Sequence, residues 1–174
     1  IFDKKKYFKF KEKFIKKKIK VFNNFKDLKN NVIKKKIDYI MCAISGLDGL
    51  ESTIASIEIT KNIVIANKES IICAWNIIKK RIARYKTKFI PVDSEHFSIL
   101  SLMNNHSNKE VDRLIITASG GPFLKYKIKK LKNVNPKMAI KHPNWKMGKK
   151  ISVDSATLMN KVFEVIEAQK IFNI

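Results

Sequence analysis

Acidic residues are scarce in this sequence. Asp and Glu number 15 against 37 Lys and Arg, giving a formal net charge of +22 over 174 residues. Such an imbalance fits either a basic face for nucleic acid or anionic lipid, or a Lys-, Asn- and Ile-rich composition spread over solvated surfaces. The lysines are dispersed along the chain, which favours the second reading, so neither a nucleic-acid nor a membrane partner is expected. Cysteine is nearly absent. Cys42 and Cys73 show no CxxC spacing, so neither a zinc site nor a disulfide framework is expected, and apolar neighbours predict two buried, reduced thiols. Glycine is confined to Gly46, Gly49, Gly120, Gly121 and Gly148, which leaves no glycine-rich strand–turn–helix fingerprint for a dinucleotide. No apolar run reaches membrane-spanning length, and the first twenty residues lack the apolar core of a secretory signal. The chain opens on Ile rather than Met, as an internal piece of a longer protein would.

What is present reads as an α/β protein. Hydrophobic residues make up 45% of the chain, enough for a normal core. Residues 1–36 are Lys-rich, with Phe10 and Phe14 at helical spacing, and are read as a basic helix with a solvated face. A short strand at Ile19–Phe22 and a helix at Phe25–Lys35 are expected to follow. Ile37–Ile44 is a nearly continuous apolar run, as in a parallel strand buried on both faces. A helix over Leu50–Ile59, a strand over Asn62–Ala66, a helix over Glu69–Tyr85 and a strand over Lys88–Val92 complete two βαβ units. Arg113–Ile116 is a fourth apolar run and is read as a further strand.

Ligands in such sheets bind beyond the carboxyl ends of the strands. The second strand is followed by Asn67-Lys68-Glu69-Ser70, the third by Asp93-Ser94-Glu95-His96, and the fourth run by Ser119-Gly120-Gly121. Asp93 and Glu95 would point to one side if the segment were extended, and two such carboxylates need a proton or a cation between them. A hard divalent ion would fit, with Glu164 as a third ligand. Two separate surface acids would have the same spacing, and spacing alone leaves both open. His96 can orient a carboxylate or cap a helix. Ser119-Gly120-Gly121 offers a hydroxyl and backbone N–H groups to an anion, although ordinary turns look the same.

The densest stretch is His142–Glu167. His142, Trp145, Met147 and Gly148 occupy a loop that can act as a mobile lid. A single helix is expected to open near Ser152 or Asp154, with Leu158, Val162, Val165 and Ile166 as its apolar stripe. Ser155 would then lie at the helix start, with Asn160, Lys161 and Glu164 following. A hydroxyl, an amide, an ammonium and free N–H groups there would cradle a phosphate or phosphonate.

Five blocks carry a resemblance: ANKES (66–70), PVDSEH (91–96), ASGGPF (118–123), HPNWKMGKKISVDSATLMNK (142–161) and FEVIEA (163–168). In order and spacing they resemble 1-deoxy-D-xylulose 5-phosphate reductoisomerase, from about residue 37 to 174. The resemblance implies conversion of 1-deoxy-D-xylulose 5-phosphate to 2-C-methyl-D-erythritol 4-phosphate in non-mevalonate isoprenoid synthesis, with NADPH and Mg²⁺, Mn²⁺ or Co²⁺. It implies Asp93, Glu95 and Glu164 as metal ligands, and Lys68 as an active-site lysine. Ser94, Ser119, His142, Ser155, Asn160 and Lys161 would hold substrate, Trp145 and Met147 would belong to a closing flap, and Asn67, Glu69 and Gly148 would touch NADPH. Lys68, Asp93, Glu95, His142 and Glu164 form the implied catalytic set.

The fold implied is the second half of a Rossmann-like parallel-sheet NADPH domain (1–86), followed by an α/β catalytic domain (87–174), truncated at both ends. A homodimer at full length is implied, in a plastid of apicoplast type or in bacterial cytoplasm. The missing glycine fingerprint is the main departure. Two other classes compete. One is a basic nucleic-acid-binding module built on residues 1–36. The other is a metal-dependent phospho-sugar isomerase or aldolase without NADPH.

Overall fold

The computed structural model describes residues 3–32, 35–104, 106–142 and 147–173. They form two compact units, which divide between Ile90 and Pro91. The expected boundary at 86/87 falls earlier, because the strand at Lys88–Pro91 is hydrogen-bonded into the first unit's sheet.

The first unit opens with helices α1 (Lys4–Ile15) and α2 (Phe25–Val32). The Asp3 side chain caps α1 by accepting from Lys6 N, and Phe10 stacks on Phe14, but no residue of α1 is buried. The strand expected at Ile19–Phe22 does not form, and these residues carry no regular structure. The expected helix at Phe25–Lys35 ends its described course at Val32, and residues 33–34 lie outside the described residues.

The sheet holds β1 (Ile37–Cys42), β2 (Thr60–Ile65) and β3 (Lys88–Pro91) in the order β1-β2-β3. β1 and β2 are parallel, from Ile37 opposite Thr60 to Cys42 opposite Ile65. Helix α3 (Leu50–Ile59) connects β1 to β2, and α4 (Lys68–Tyr85) connects β2 to β3. Ile57 of α3, Ile63 and Ile65 of β2 and Ile71 and Ile78 of α4 are almost wholly buried. Each such side chain contributes roughly 1.5–3 kcal/mol by leaving water. β1 departs from expectation. Tyr39 and Met41 are 65% and 64% exposed, so only one face of this strand is covered among the described residues. Cys42 is buried as expected, whereas Cys73 is exposed on α4, and both are free thiols.

Polar groups, some of them buried, stitch this unit together. The Thr87 hydroxyl lies 2.8 Å from the Ile57 carbonyl and 3.1 Å from that of Thr60. Glu58 on α3 pairs with Lys29 of α2 at 2.7 Å and with Arg81 of α4 at 2.6 Å. Asn67 caps α4, accepting from Ser70 N at 2.6 Å, while its amide donates to the Gly46 carbonyl at 2.8 Å and also to that of Ile44. Gly49 packs so closely here that a Cβ would collide with the Ile44 carbonyl and lie 2.8 Å from Asn67 Nδ2. Helix α4 is interrupted at Ala74 (φ −133°, ψ 21°).

The second unit contains α5 (Ser94–Met103), two single turns α6 (Ile128–Leu131) and α7 (Pro136–Ala139), then α8 (Lys149–Ala156) and α9 (Met159–Phe172). Its core joins Ile99 of α5 to Ala168 and Phe172 of α9, with Leu114 and Ile116 packed against them. The strand expected at Arg113–Ile116 is absent. Leu114 and Ile116 turn inward and Ile115 is 80% exposed, which is the alternation of a strand, but no neighbouring strand bonds to it among the described residues.

The single helix expected after Gly148 is two. α8 begins directly at Gly148, without a side-chain cap, and Leu158 in the left-handed region (φ 60°) separates it from α9. Ser152 and Asp154 cap nothing. The Ser152 hydroxyl donates to the Gly148 carbonyl at 3.0 Å, and Asp154 accepts from Lys150 at 2.7 Å. The predicted apolar stripe is also displaced. Leu158, Val162 and Val165 are half exposed, while Glu164, Glu167, Ala168 and Phe172 form the buried face of α9. No helix among the described residues is long and apolar enough to cross a membrane.

Candidate metal centre

The predicted trio Asp93, Glu95 and Glu164 does come together: ligand-type oxygens from the three lie within 4.8 Å of one another. The reason differs from the one read in the sequence. Asp93 is extended (φ −57°, ψ 133°) and its carboxylate does not cap α5, whereas Glu95 already lies in the first turn of that helix. The change from strand to helix, rather than strand alternation, aims both groups at Glu164 on α9. Glu164 is 1% exposed.

Lys161 is the positive group of the cluster. Its ammonium lies 3.0 Å from Glu95 Oε1 and also pairs with Glu164. Burial works against its charge, but the hydrogen bonds to Glu164 and Glu95 more than offset this and raise its pKa. Burial likewise opposes the charge on Glu95. Hydrogen bonds donated by the Ser94 hydroxyl and the Lys161 ammonium help to hold its carboxyl well below the usual carboxylate range. Asn160 donates its amide to Glu164 Oε1, and the Ser94 hydroxyl donates to Glu95 Oε2 at 2.6 Å.

Three carboxylates around one ammonium leave negative charge that a divalent ion can balance. The donors are all oxygen, which suits a hard cation such as Mg²⁺ or Mn²⁺. Asp93 and Glu95 are half-buried and leave such an ion access to water. The residues therefore fit the metal that the sequence implied.

The residues expected to bind an anion separate into two groups. Ser119 Oγ lies 3.2 Å from His142 Nε2 and accepts from Gly121 N at 3.3 Å. Gly121 (φ 65°) presses on the end of α8, where a Cβ would fall 2.7 Å from the Ser155 carbonyl. Ser155 thus occupies the last turn of α8 and not a helix start, which overturns the expected cradle of Ser155 with free N–H groups. Asn160 and Lys161 do open α9, but their side chains turn to the carboxylates. Met147 is half-buried and Gly148 exposed. Trp145 lies outside the described residues. Lys68, Glu69 and the capping residue Asn67 form the start of α4 in the first unit.

His96 and Glu167 complete the surroundings. His96 caps nothing. It is 1% exposed, and its Nε2–H donates to the Glu164 main-chain carbonyl at 2.9 Å. Glu167, 2% exposed, is not among the candidate residues read from the sequence. It lies three residues after Glu164, which puts both acids on the buried face of α9.

Two family models match this chain. Residues 1–75 match 1-deoxy-D-xylulose 5-phosphate reductoisomerase, and residues 89–172 match the C-terminal domain of that enzyme. The reductoisomerase of Pelagibacter ubique is 61% identical over 159 residues, covering 90% of this chain and 41% of the relative. That of Wolbachia pipientis is 48% identical over 145 residues, covering 83% of this chain and 37% of the relative. The chain thus spans about two fifths of the length of the curated relatives it matches. Among solved structures, the Zymomonas mobilis reductoisomerase in complex with NADPH is 36% identical with a TM-score of 0.81, covering 100% of this chain and 44% of that one. A reductoisomerase in complex with NADPH, fosmidomycin and magnesium is 33% identical with a TM-score of 0.79, covering 99% and 45%. Two models of one enzyme along the chain, close relatives and the same fold agree: the chain belongs to the 1-deoxy-D-xylulose 5-phosphate reductoisomerase family.

Proposed function

We propose that this chain carries the metal- and substrate-binding part of an enzyme that rearranges and reduces 1-deoxy-D-xylulose 5-phosphate to 2-C-methyl-D-erythritol 4-phosphate with NADPH. The observation that carries this reading is the convergence of Asp93, Glu95 and Glu164 beside Lys161. Those three carboxylates would hold Mg²⁺ or Mn²⁺, with Co²⁺ as an alternative. The bound ion would supply Lewis-acid polarisation of substrate oxygens. Lys161 helps to keep Glu95 ionised and offsets the repulsion among the carboxylates. Ser119 and His142 present a hydroxyl and an imidazole side by side, and with Ser155 and Asn160 they are our candidates for holding the substrate and its phosphate.

Lys68 stands beyond the carboxyl end of β2, where ligands meet parallel sheets, and is assigned to substrate. Asn67, Glu69 and Gly148 are assigned to NADPH, although Asn67 is also structural through its bonds to Ser70 and Gly46. Trp145 and Met147 are assigned to a flap that excludes water. The relatives are bacterial, which favours a bacterial over a plastid setting, and a homodimer is proposed for the full-length protein.

Calorimetry with a phosphonate–hydroxamate ligand such as fosmidomycin tests this. We expect binding by the chain only when Mn²⁺ is present. NADPH should bind far more weakly, because none of the five glycines lies in a dinucleotide fingerprint. Phosphonate binding of equal strength with and without Mn²⁺ would contradict the assignment.

A further inference from the structure

A second group of ligand-type atoms adjoins the first. Atoms of Asp93, His96 and Glu167 lie within 4.8 Å of one another, so Asp93 belongs to both groups. Two roles fit that proximity: a second cation site, or a support for the first.

The geometry favours support. A carbonyl can only accept, so the His96 nitrogen facing Glu164 O at 2.9 Å is the protonated one. That bond ties the α5 side chain to the α9 backbone at the residue whose carboxylate enters the metal cluster. The other ring nitrogen, Nδ1, lies 3.9 Å from Glu167 Oε2. The ring is held on a further side by Phe172, near-parallel at 25° with centroids 6.4 Å apart. Side-chain exposures of 1% for His96 and 2% for Glu167 leave no water for a hard ion that keeps part of its hydration shell. Asp93 and Glu95 arrive from the start of α5 and Glu164 from α9, so the spacing between these helices sets whether three oxygens can share one ion. His96 bridges the helices at that level, and Glu167 stands one turn beyond Glu164 against the ring.

We propose that His96 and Glu167 are a positioning pair: they hold α5 and α9 at the separation that lets Asp93, Glu95 and Glu164 share one divalent cation, and neither is itself a ligand. This rests on the reading of those three carboxylates as the metal site. Groups that orient metal ligands in this way characteristically change affinity by roughly 10–100-fold when altered.

The test uses Mn²⁺ and the full 174-residue chain. The free-ion electron paramagnetic resonance signal gives the dissociation constant, and pulsed measurements report nitrogen bonded to the ion. In the unmutated chain we expect one bound Mn²⁺ without the coupling of a directly bonded imidazole nitrogen. This readout needs no variant and is indifferent to folding damage. Glu167→Gln keeps the side chain's shape and should weaken Mn²⁺ binding about tenfold. His96→Ala should weaken it comparably, and the double variant should be little worse than either single, because the two act as one unit. Melting by circular dichroism checks that the variants fold, and if His96→Ala does not, Glu167→Gln and the pulsed spectrum decide. A directly bonded nitrogen, a second Mn²⁺ lost in Glu167→Gln, or unchanged affinity in Glu167→Gln would overturn the proposal. Asp93→Asn separates the two claims. If it binds Mn²⁺ as tightly as the unmutated chain, the metal-site reading fails, and the positioning role falls with it.

Discussion

Glu164 carries more of this account than any other residue. It is a buried acid engaged by Asn160, Lys161 and, through its backbone, His96. A carboxylate removed from water costs several kcal/mol unless partners compensate, and Asn160 and Lys161 are placed to do so. Gly121 is the second decisive residue. Its φ of 65° and its contact with the Ser155 carbonyl exclude a side chain. Gly121→Ala should lower stability by about 1–2 kcal/mol through left-handed backbone strain alone. It should also shift Ser119 away from His142. Thermal melting together with phosphonate affinity checks this, and a variant with unchanged Tm and affinity would show that the close approach is unimportant. Residue types and spacing left the carboxylate trio as one of two readings, and the family resemblance singled it out, although the helical start at Ser94 replaced the strand argument. Glu167 was not legible, because Val162, Val165 and Ile166 looked like the buried stripe and an acid inside a helix ordinarily faces water.

At the scale of elements, alternating apolar runs and polar turns made β1, α3, β2, α4 and β3 legible to within a few residues. The α8–α9 break was not, because Ala156-Thr157-Leu158-Met159 contains neither Gly nor Pro, and a leucine takes the left-handed turn. The exposed side of β1 was not legible either, since a continuous apolar run does not say how many of its neighbours are present. In the first unit, Glu58 of α3 clamps α2 and α4 through Lys29 and Arg81. The hydrogen bond from Lys29 is the main cause of its lowered pKa, opposed by burial and helped by Arg81. A carboxyl whose folded pKa is lowered adds stability above its unfolded pKa and loses it as pH falls through the folded value. Glu58→Gln should therefore cost about 1 kcal/mol at neutral pH, allowing for partial solvent screening. The gap to the unmutated chain should close as pH falls below about 4. Urea denaturation at several pH values measures it, and a gap that widened on acidification would contradict the clamp.

At the scale of the molecule, charge and apolar exposure oppose each other. A net charge of +22 keeps copies apart, while Tyr39, Met41, Leu158, Val162 and Val165 present apolar surface. Salt shortens the Debye length from about 30 Å at 0.01 M to about 3 Å at 1 M, so self-association should rise with ionic strength. Light scattering against salt checks this, and association strongest at low salt would point to an anionic contaminant or an ion-paired interface. The central claim is narrower: Asp93, Glu95 and Glu164 form one divalent-cation site within this chain. Mn²⁺ titration of the unmutated chain beside Asp93→Asn tests it most directly. The account predicts one Mn²⁺ per chain, with affinity falling more than about 100-fold in Asp93→Asn while the circular dichroism spectrum is kept. Equal Mn²⁺ affinity in the two folded proteins would contradict it.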